Sequence, residues 1–554
     1  MAQTTDSRGA EIIRQFNDAK SDRAPLEPLI RECYRLTFPM RGVQFSQSPA
    51  TNPNVFAQQA KAQTSDIYDS TAPDACNTVA ANFMAGLTPP NSKWFNYQTG
   101  DGADNSEANR WLDEATTALH GMIHASNFDA PAFEGILDCV VAGMFALYVT
   151  EGRDNAPFHF DLWELANCYF GASRRGGPVD IIFYNYALTA EQAANEFGAE
   201  NLPDRIAKVL EKKPQSRHAF VWCIRPRQPK NGKRLTAKER LMPFESFQVE
   251  TISKQVVRES GFHEFPVVVP RFNKIPGSVY ATSPFANALP DTQTLNEVKR
   301  LSLAGLDMAI SGMWGAVDDG VLNPKTIRIG ARKIVYMAQK ESFFPLTPGG
   351  NPQTAALEVE DLRKSIRRVM NADMLETQNE GPAETATAWH YRVNLIRQLL
   401  GPSYGRFQSE YLQPLVARCF GIALRAGLIG KPGDIPDSLK GQHFRLQYIS
   451  PLARAQKLED VAAMDRFEQD LEATAQIRPE VADLYDWDTA KKRKAQLLGV
   501  PVDLIVDDKK VVQLRTARAK QQQNAAAQAQ VQAAVAKANP AQMAPRVQIG
   551  AMAA

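Results

Sequence analysis

Scarcities bound this chain of 554 residues before any motif is read. Its six cysteines, Cys33, Cys76, Cys139, Cys168, Cys223 and Cys419, stand singly with no short paired spacing. That argues against a disulfide framework and against a zinc ribbon, and predicts buried free thiols in a reducing compartment. Net charge is nearly absent: 63 Lys and Arg oppose 61 Asp and Glu, for a formal +2. No global attraction to nucleic acid or anionic lipid follows, so any such attraction is local. No run of about 18 apolar residues occurs, which argues against a membrane-spanning helix. Residues Met1 to Asp22 are polar and lack the apolar run of a signal peptide, so the expected location is the cytosol or something assembled there.

Catalytic signatures are equally scarce. Neither Gly232-Lys233-Arg234 nor Gly430-Lys431-Pro432 carries the upstream glycine and following Ser or Thr of a phosphate loop. His263-Glu264 runs into Phe265-Pro266 and is no zincin helix. Asp318-Asp319 and Asp507-Asp508 lack the dispersed carboxylates of a two-metal nuclease. Gly401-Pro-Ser-Tyr-Gly405 matches a nucleophile elbow in letters, which makes a serine hydrolase using Ser403 the enzymatic alternative. A helix pattern precedes it where a strand is required, so a helix kink is the better account. His120 and His124 stand four apart on an expected helix and offer two metal ligands, but nothing nearby in sequence supplies a third. No cofactor is expected.

What is present is a long hairpin. Ser283-Pro284 and Pro290-Asp291 suit the first turn of a helix, and Thr292 to Met313 then runs without proline. Leu295, Val298, Ser302, Leu306, Ala309 and Met313 recur on one face. A second arm, Gln353 to Leu375, carries Leu362, Ile366, Val369 and Met370 on one stripe, with Asp361, Arg363, Lys364, Arg367 and Arg368 off it. At 1.5 Å per residue each arm is about 30 to 35 Å long. Between them lies a strand-and-turn insert, Trp314 to Pro348, with the turn Asp318-Asp319-Gly320 and an alternating run from Thr326 to Met337. Lys325, Arg328, Arg332 and Lys333 crowd that insert. They read either as a solvated strand face or as a docking surface for a protein or a phosphate backbone.

The rest is expected to be α+β and mainly helical. Helices are predicted over Asp74 to Leu87, Asn105 to Ala125 and Ala130 to Val141, then strands over His159 to Glu164, Val179 to Tyr186, Ala219 to Arg225, Phe244 to Val249, Gln255 to Glu259 and Pro266 to Arg271. Thr189-Ala-Glu-Gln192 is a capping box that starts a helix between strands. Helices return at Thr385 to Leu400, Tyr404 to Ala426, Leu452 to Ala475, Thr489 to Leu498 and from Asp503 onward. Beyond Asp508 no acidic residue occurs, while Lys509, Lys510, Arg515, Arg518, Lys520, Lys537 and Arg546 remain. That tail is a candidate for nonspecific DNA contact or a solubilising tail, and Gln521 to Gln532 is a frayed helix or disordered.

Several phrases together resemble one family. Tyr68-Asp-Ser-Thr-Ala72 is followed by Gly86-Leu-Thr-Pro-Pro90 and Trp94-Phe95; Gly277-Ser-Val-Tyr280 by Ser283-Pro284 and Ala288-Leu-Pro-Asp291; then come Thr385-Ala-Thr387 and Ser450-Pro-Leu-Ala-Arg-Ala-Gln456. In order and spacing they resemble the portal, or head-to-tail connector, proteins of short-tailed bacteriophages over nearly the whole chain. The resemblance implies a dodecameric ring with a central channel, each subunit having a wing, a two-helix stem, a clip and a helical crown. It places the wing at 1–276, the first stem helix at 277–313, the clip at 314–350 and the second stem helix at 351–375. The tunnel loop follows at 376–384, a long kinked helix returning to the wing at 385–450, the crown at 451–520 and the Gln/Ala tail at 521–554.

On that reading Lys325, Arg328, Arg332 and Lys333 face the packaging motor and then the tail. Lys509, Lys510, Arg515, Arg518 and Lys520 face DNA. The tunnel loop carries Glu376, Gln378, Asn379, Glu380 and Glu384 and no Lys or Arg, which suits passage of DNA over binding. The implied partners are other copies of the chain, the terminase large subunit, tail adaptor and nozzle proteins, major capsid and scaffolding proteins, and double-stranded DNA read without sequence preference. No membrane is implied. The implied location is the portal vertex of the virion, assembled in host cytoplasm. A non-channel internal scaffold protein of the virion is the other structural alternative.

Overall fold

The computed structural model describes residues 2–538 apart from 52, 100–105, 153–155, 229–235, 312, 318–342, 347–351, 376–404, 431–435, 437–443, 449–450, 499, 501–505 and 507. The chain forms two units. One comprises Met1–Asn96, Ala115–Ile435 and Tyr448–Ala453; the other comprises Tyr97–Glu114, Pro436–Gln447 and Arg454–Ala554. The described residues are mainly helical with small antiparallel sheets, as expected.

In the first unit a five-stranded meander runs through Cys168–Gly171, Ile181–Thr189, Arg217–Pro226, Phe244–Glu250 and Val256–Phe262, in sequence order. Alternation puts one row of side chains on each face. Tyr169, Phe183, Cys223 and Phe247 are successive cross-strand neighbours and form such a row. The amino-terminal helix Ala2–Arg23 lays Ile12, Ile13, Phe16 and Ala19 on it, a stripe at helical spacing. Phe16 meets Tyr169 edge to face at 5.2 Å. Arg23, 2 % exposed, ends that helix by donating to the carbonyls of Leu165, Ala166 and Cys168 at 3.0, 2.7 and 2.9 Å. Its guanidinium also lies 4.0 Å over the Tyr169 ring.

The opposite face is covered by helix Ala190–Phe197, whose Ala190, Ala193 and Phe197 pack with Ile206, Phe220 and Val257. The expected capping box starts that helix: Gln192 N–H donates to Thr189 Oγ1 and Gln192 Oε1 accepts from Thr189 N–H. A second sheet pairs Phe158–Trp163 with Ala146–Glu151, and that strand with Val267–Val268. Ala146–Glu151, its centre, is absent from the predicted strands. The reason is Gly143: helix Asp129–Ala142 ends there in the left-handed region, φ 91°, and the chain passes from apolar helix to apolar strand with no polar turn.

Helices Glu27–Thr37, Thr71–Leu87 and Asp129–Ala142 form the layer from which the hairpin projects. All six cysteines are free and buried. Burial pushes Cys33 and Cys223 up to about 12, so these thiols are packing groups and not nucleophiles.

The second unit is mainly helical. Helix Pro451–Ala475 and helix Trp487–Leu498 are tied by Lys491 and Lys494 to the buried Glu468, at 2.7 and 3.5 Å, and by Lys494 to Asp465. Phe467, Tyr485 and Trp487 form an edge-to-face cluster. Helix Asp508–Ala538 runs unbroken through the Gln/Ala segment. It contains neither Gly nor Pro, and Ala and Gln are good helix formers. No described helix is long and apolar enough to cross a membrane.

Candidate functional site

The hairpin is real, and its two helices pack against each other. Helix Pro284–Ser311 has 28 residues, about 42 Å at 1.5 Å per residue. It starts at Pro284 and takes Pro290 into its interior, so Pro290 does not open a new helix; one intrahelical hydrogen bond is forfeited there. Ser283 Oγ caps the start by accepting from Ala286 N–H at 2.9 Å. Residues 277–282 lie outside the helix: they make a turn and a short strand. Strand Ala281–Thr282 pairs with Asn273–Lys274 across a turn in which Gly277 has φ 81°.

The return helix is Pro352–Val369, followed by a separate short helix, Ala372–Leu375. Asn371 at φ 58° breaks the arm that the sequence reads as continuous. Asn tolerates that conformation better than most residues.

At the far end of the arm, strand Met313–Ala316 pairs antiparallel with Phe343–Leu346, Met313 opposite Leu346 and Ala316 opposite Phe343. The insert thus begins and ends as a ribbon continuing the two helices. Lys325, Arg328, Arg332 and Lys333 lie outside the described residues, as do Glu376, Gln378, Asn379, Glu380, Glu384 and Ser403.

The root of the arm is held by polar ties. Asp69, its side chain only 4 % exposed, accepts from Thr71 N–H at 2.9 Å and from Arg363 Nη2 and Nε at 2.7 and 3.1 Å. Asn296 bridges, accepting from Tyr68 N–H and donating to the Asp66 carbonyl, both at 2.8 Å. Ser365 Oγ donates to Asp291 Oδ2 at 2.7 Å and joins the two arms. Arg367 reaches Asp74 at 3.3 Å. Beneath, Gly143 packs so tightly on Thr282 that a Cβ would lie 2.6 Å from its carbonyl carbon.

Arg271, 2 % exposed, forks onto Glu410 at 2.5 and 2.8 Å. Glu410 sits in a π-turn, Gln408–Leu412, that interrupts the helix spanning 405–425. The phrases Tyr68 to Ala72 and Gly277 to Tyr280 are therefore fittings for the arm. Asp69 and Asn296 are absent from the sequence-predicted sites; the only signal for Asp69 was an Asx residue two before a helix-starting Thr.

Further out, the described part of the arm exposes apolar side chains. Leu295 is buried, Val298 and Ser302 are half-buried, and Leu306, next on that face, is 54 % exposed. Leu301 and Leu303 are also exposed, and Leu357 on the return helix is 73 % exposed. On helix Asp508–Ala538, Lys510, Arg518 and Lys520 are exposed, whereas Arg515 forks onto Asp488 at 2.6 and 2.7 Å. Lys509 lies on the same helix, its side chain outside the described residues.

His120 and His124 share a helix face, rings 4.6 Å apart. Both nitrogens of His124 are engaged, by Trp94 and Asp129. Among the described residues no cluster of three His, Cys, Asp or Glu suits a metal.

A family model described as bacteriophage head to tail connecting protein matches residues 9–506. The chain is 27 % identical over 553 residues to the portal protein of Salmonella phage epsilon15, covering 96 % of this chain and 95 % of that one. It is 26 % identical over 479 residues to the probable portal protein of Bordetella phage BPP-1, covering 83 % of each. Among solved structures, the neck of an empty GTA particle computed with C6 symmetry covers 78 % of this chain and 90 % of its own, at 14 % identity and a TM-score of 0.33.

Proposed function

The chain belongs to the bacteriophage head to tail connecting protein family, and from that membership we propose that it is the portal subunit of a phage virion. Copies close into a ring at one capsid vertex, and double-stranded DNA passes through its channel during packaging and ejection. The observation that carries this reading is the family match over residues 9–506.

The arm supports it. A closed ring needs head-to-tail contacts between unlike surfaces of neighbouring copies. A long hairpin with a polar, tied root and exposed leucines further out offers such a surface, because Leu301, Leu303, Leu306 and Leu357 are exposed within their own chain. Twelve copies, each contributing two stem helices, are proposed to line the channel. The strands Met313–Ala316 and Phe343–Leu346 lead into the clip. There Lys325, Arg328, Arg332 and Lys333 are proposed to dock the terminase large subunit and later the tail adaptor and nozzle proteins. The wing is proposed to meet major capsid and scaffolding proteins.

A channel needs no bond-making group. It needs a surface that DNA slides past, and contact to phosphates alone is independent of sequence and weakened by salt. The carboxylates of Glu376, Glu380 and Glu384 are proposed to repel the phosphates at the narrowest point, so that the strand is passed on and not gripped. ATP hydrolysis belongs to the motor.

Negative-stain imaging of the purified full chain tests the reading. Rings with a central hole are expected; dispersed monomers at high protein concentration would overturn it in favour of an internal scaffold protein.

A further inference from the structure

Trp94 is fully buried, and its indole N–H donates to His124 Nε2 at 3.2 Å. An indole nitrogen only donates, so His124 Nε2 must be the unprotonated nitrogen. The proton therefore sits on Nδ1, which donates to Asp129 Oδ1 at 2.9 Å. The neutral ring satisfies both neighbours, and only in this tautomer. A second proton has one place to go, Nε2, where it would meet the indole N–H donor head-on.

The surroundings sharpen the conflict. His120, one turn back on the same helix, lies 4.6 Å away ring to ring, and its buried Nε2 has no hydrogen-bond partner among the described residues. Burial first, and then the charge His124 would carry, hold His120 down to about 4. Lys93, next to Trp94, adds positive charge beside His120. Asp129 is the carboxylate that bonds His124 and acts on His120; the buried Tyr411 phenol is itself pushed up by burial and by Asp129.

The position gives the conflict a consequence. Trp94 immediately precedes the point where the chain leaves the first unit after Asn96, and His120 and His124 follow its return at Ala115. The Trp94–His124 bond thus clasps the outgoing segment to the incoming helix.

We propose that Trp94, His120, His124 and Asp129 form an acid-sensitive latch: protonation of His124 at Nε2 expels the Trp94 indole and frees residues 88–95 from the helix that carries the two histidines.

Deuterium exchange by mass spectrometry on the full chain tests this at pH 7.5 and pH 4.5, with uptake corrected for the intrinsic rate at each pH. Amides of 91–95 should lose at least about tenfold protection at the lower pH, while strands Ile181–Thr189 and Phe244–Glu250 stay protected. His124→Gln keeps an acceptor for the indole and cannot titrate, so its 91–95 segment should stay protected at both values. Trp94→Phe removes the donor and should show the same protection at both. Unchanged protection of 91–95 in the unmodified protein overturns the latch, as does a His124→Gln variant that opens with acid like its parent. If neither variant folds, the unmodified protein alone decides.

Discussion

Arg363 on the return helix places two nitrogens on a single oxygen of Asp69, 2.7 and 3.1 Å away, while the other Asp69 oxygen caps Thr71. Asp69 is buried and Arg363 is 41 % exposed, so the pair is neither a solvated surface bridge nor a fully desolvated one. Removing Asp69 unties both the helix at Thr71 and the arm. Asp69→Ala should cost about 2 to 3 kcal/mol and Asp69→Asn, which keeps the Thr71 bond, about 1 kcal/mol. Urea unfolding of the single variants and of the pair with Arg363→Ala measures the coupling. A strictly additive double variant would show that the two side chains do not act together.

Acid should loosen the protein in two stages. Burial alone would raise the carboxyls of Asp69, Glu250 and Glu264. Bonds from Thr71 and Arg363, from Ser253 and Arg205, and from Arg425 and Arg418 outweigh it and hold all three below the ordinary range. Their contribution is present above the unfolded value of about 4 and is lost as pH falls through the folded ones. His120 acts earlier. Its folded value of about 4 lies below the unfolded value of about 6.5, so the unfolded chain takes up the extra proton and stability declines between those two values. Asp138 runs the other way: burial raises its carboxyl against the bonds from Arg41 and Tyr34. Thermal midpoints should fall gently from pH 6.5 to 4 and steeply below. A midpoint that is flat down to pH 4 would contradict the His120 stage, and His120→Phe should reduce that stage, leaving the part due to His218, which burial and Arg205 also hold below its ordinary value.

The exposed leucines of the arm predict how assembly fails. Leu303→Asp with Leu306→Asp places two charges on a surface that a neighbouring copy is expected to cover, while Leu306 is already more than half exposed within its own chain. The protomer should therefore fold, with unchanged far-ultraviolet circular dichroism, and sediment as monomer. Intact rings from that variant would place the subunit interface elsewhere.

Much of this layout was legible in the sequence, and the parts that were not share a cause. The hairpin, the Thr189 capping box and the six predicted strands, the last of them only at Val267–Val268, follow from periodicity and punctuation. Pro290 inside a helix, the break at Asn371 and the strand Ala146–Glu151 do not, because tertiary packing overrode the local signal or hid it in a continuous apolar stretch. Asp69 and Asn296 matter through partners more than 200 residues away, which no local window reaches. The basic insert lies outside the described residues, so Arg328 and Arg332 rest on pattern and family alone.

Helix Asp508–Ala538 separates free charge from paired charge. Lys510, Arg518 and Lys520 are exposed, and Arg515 is held by Asp488. If this helix meets DNA, neutralising each exposed residue with Gln should weaken binding of any duplex equally and reduce the slope of log affinity against log salt by about 1. Arg515→Gln should leave that slope nearly unchanged and instead lower the thermal midpoint of the helical unit. Equal slopes in all four variants would remove the helix from the DNA path.

Reversing Arg328 and Arg332 to Glu tests the proposed clip against the ring. The hairpin is tied at its root by Asp69, Asn296 and Ser365, through bonds that involve neither of these arginines, so ring formation should be unaffected. If the insert docks a motor as proposed, docking depends on complementary charge there, where a like-charge juxtaposition costs several kcal/mol. The variant should therefore form rings by negative stain yet fail to support DNA packaging with terminase and proheads. Normal packaging would make the two arginines a solvated strand face, and loss of rings would assign them to contacts between subunits.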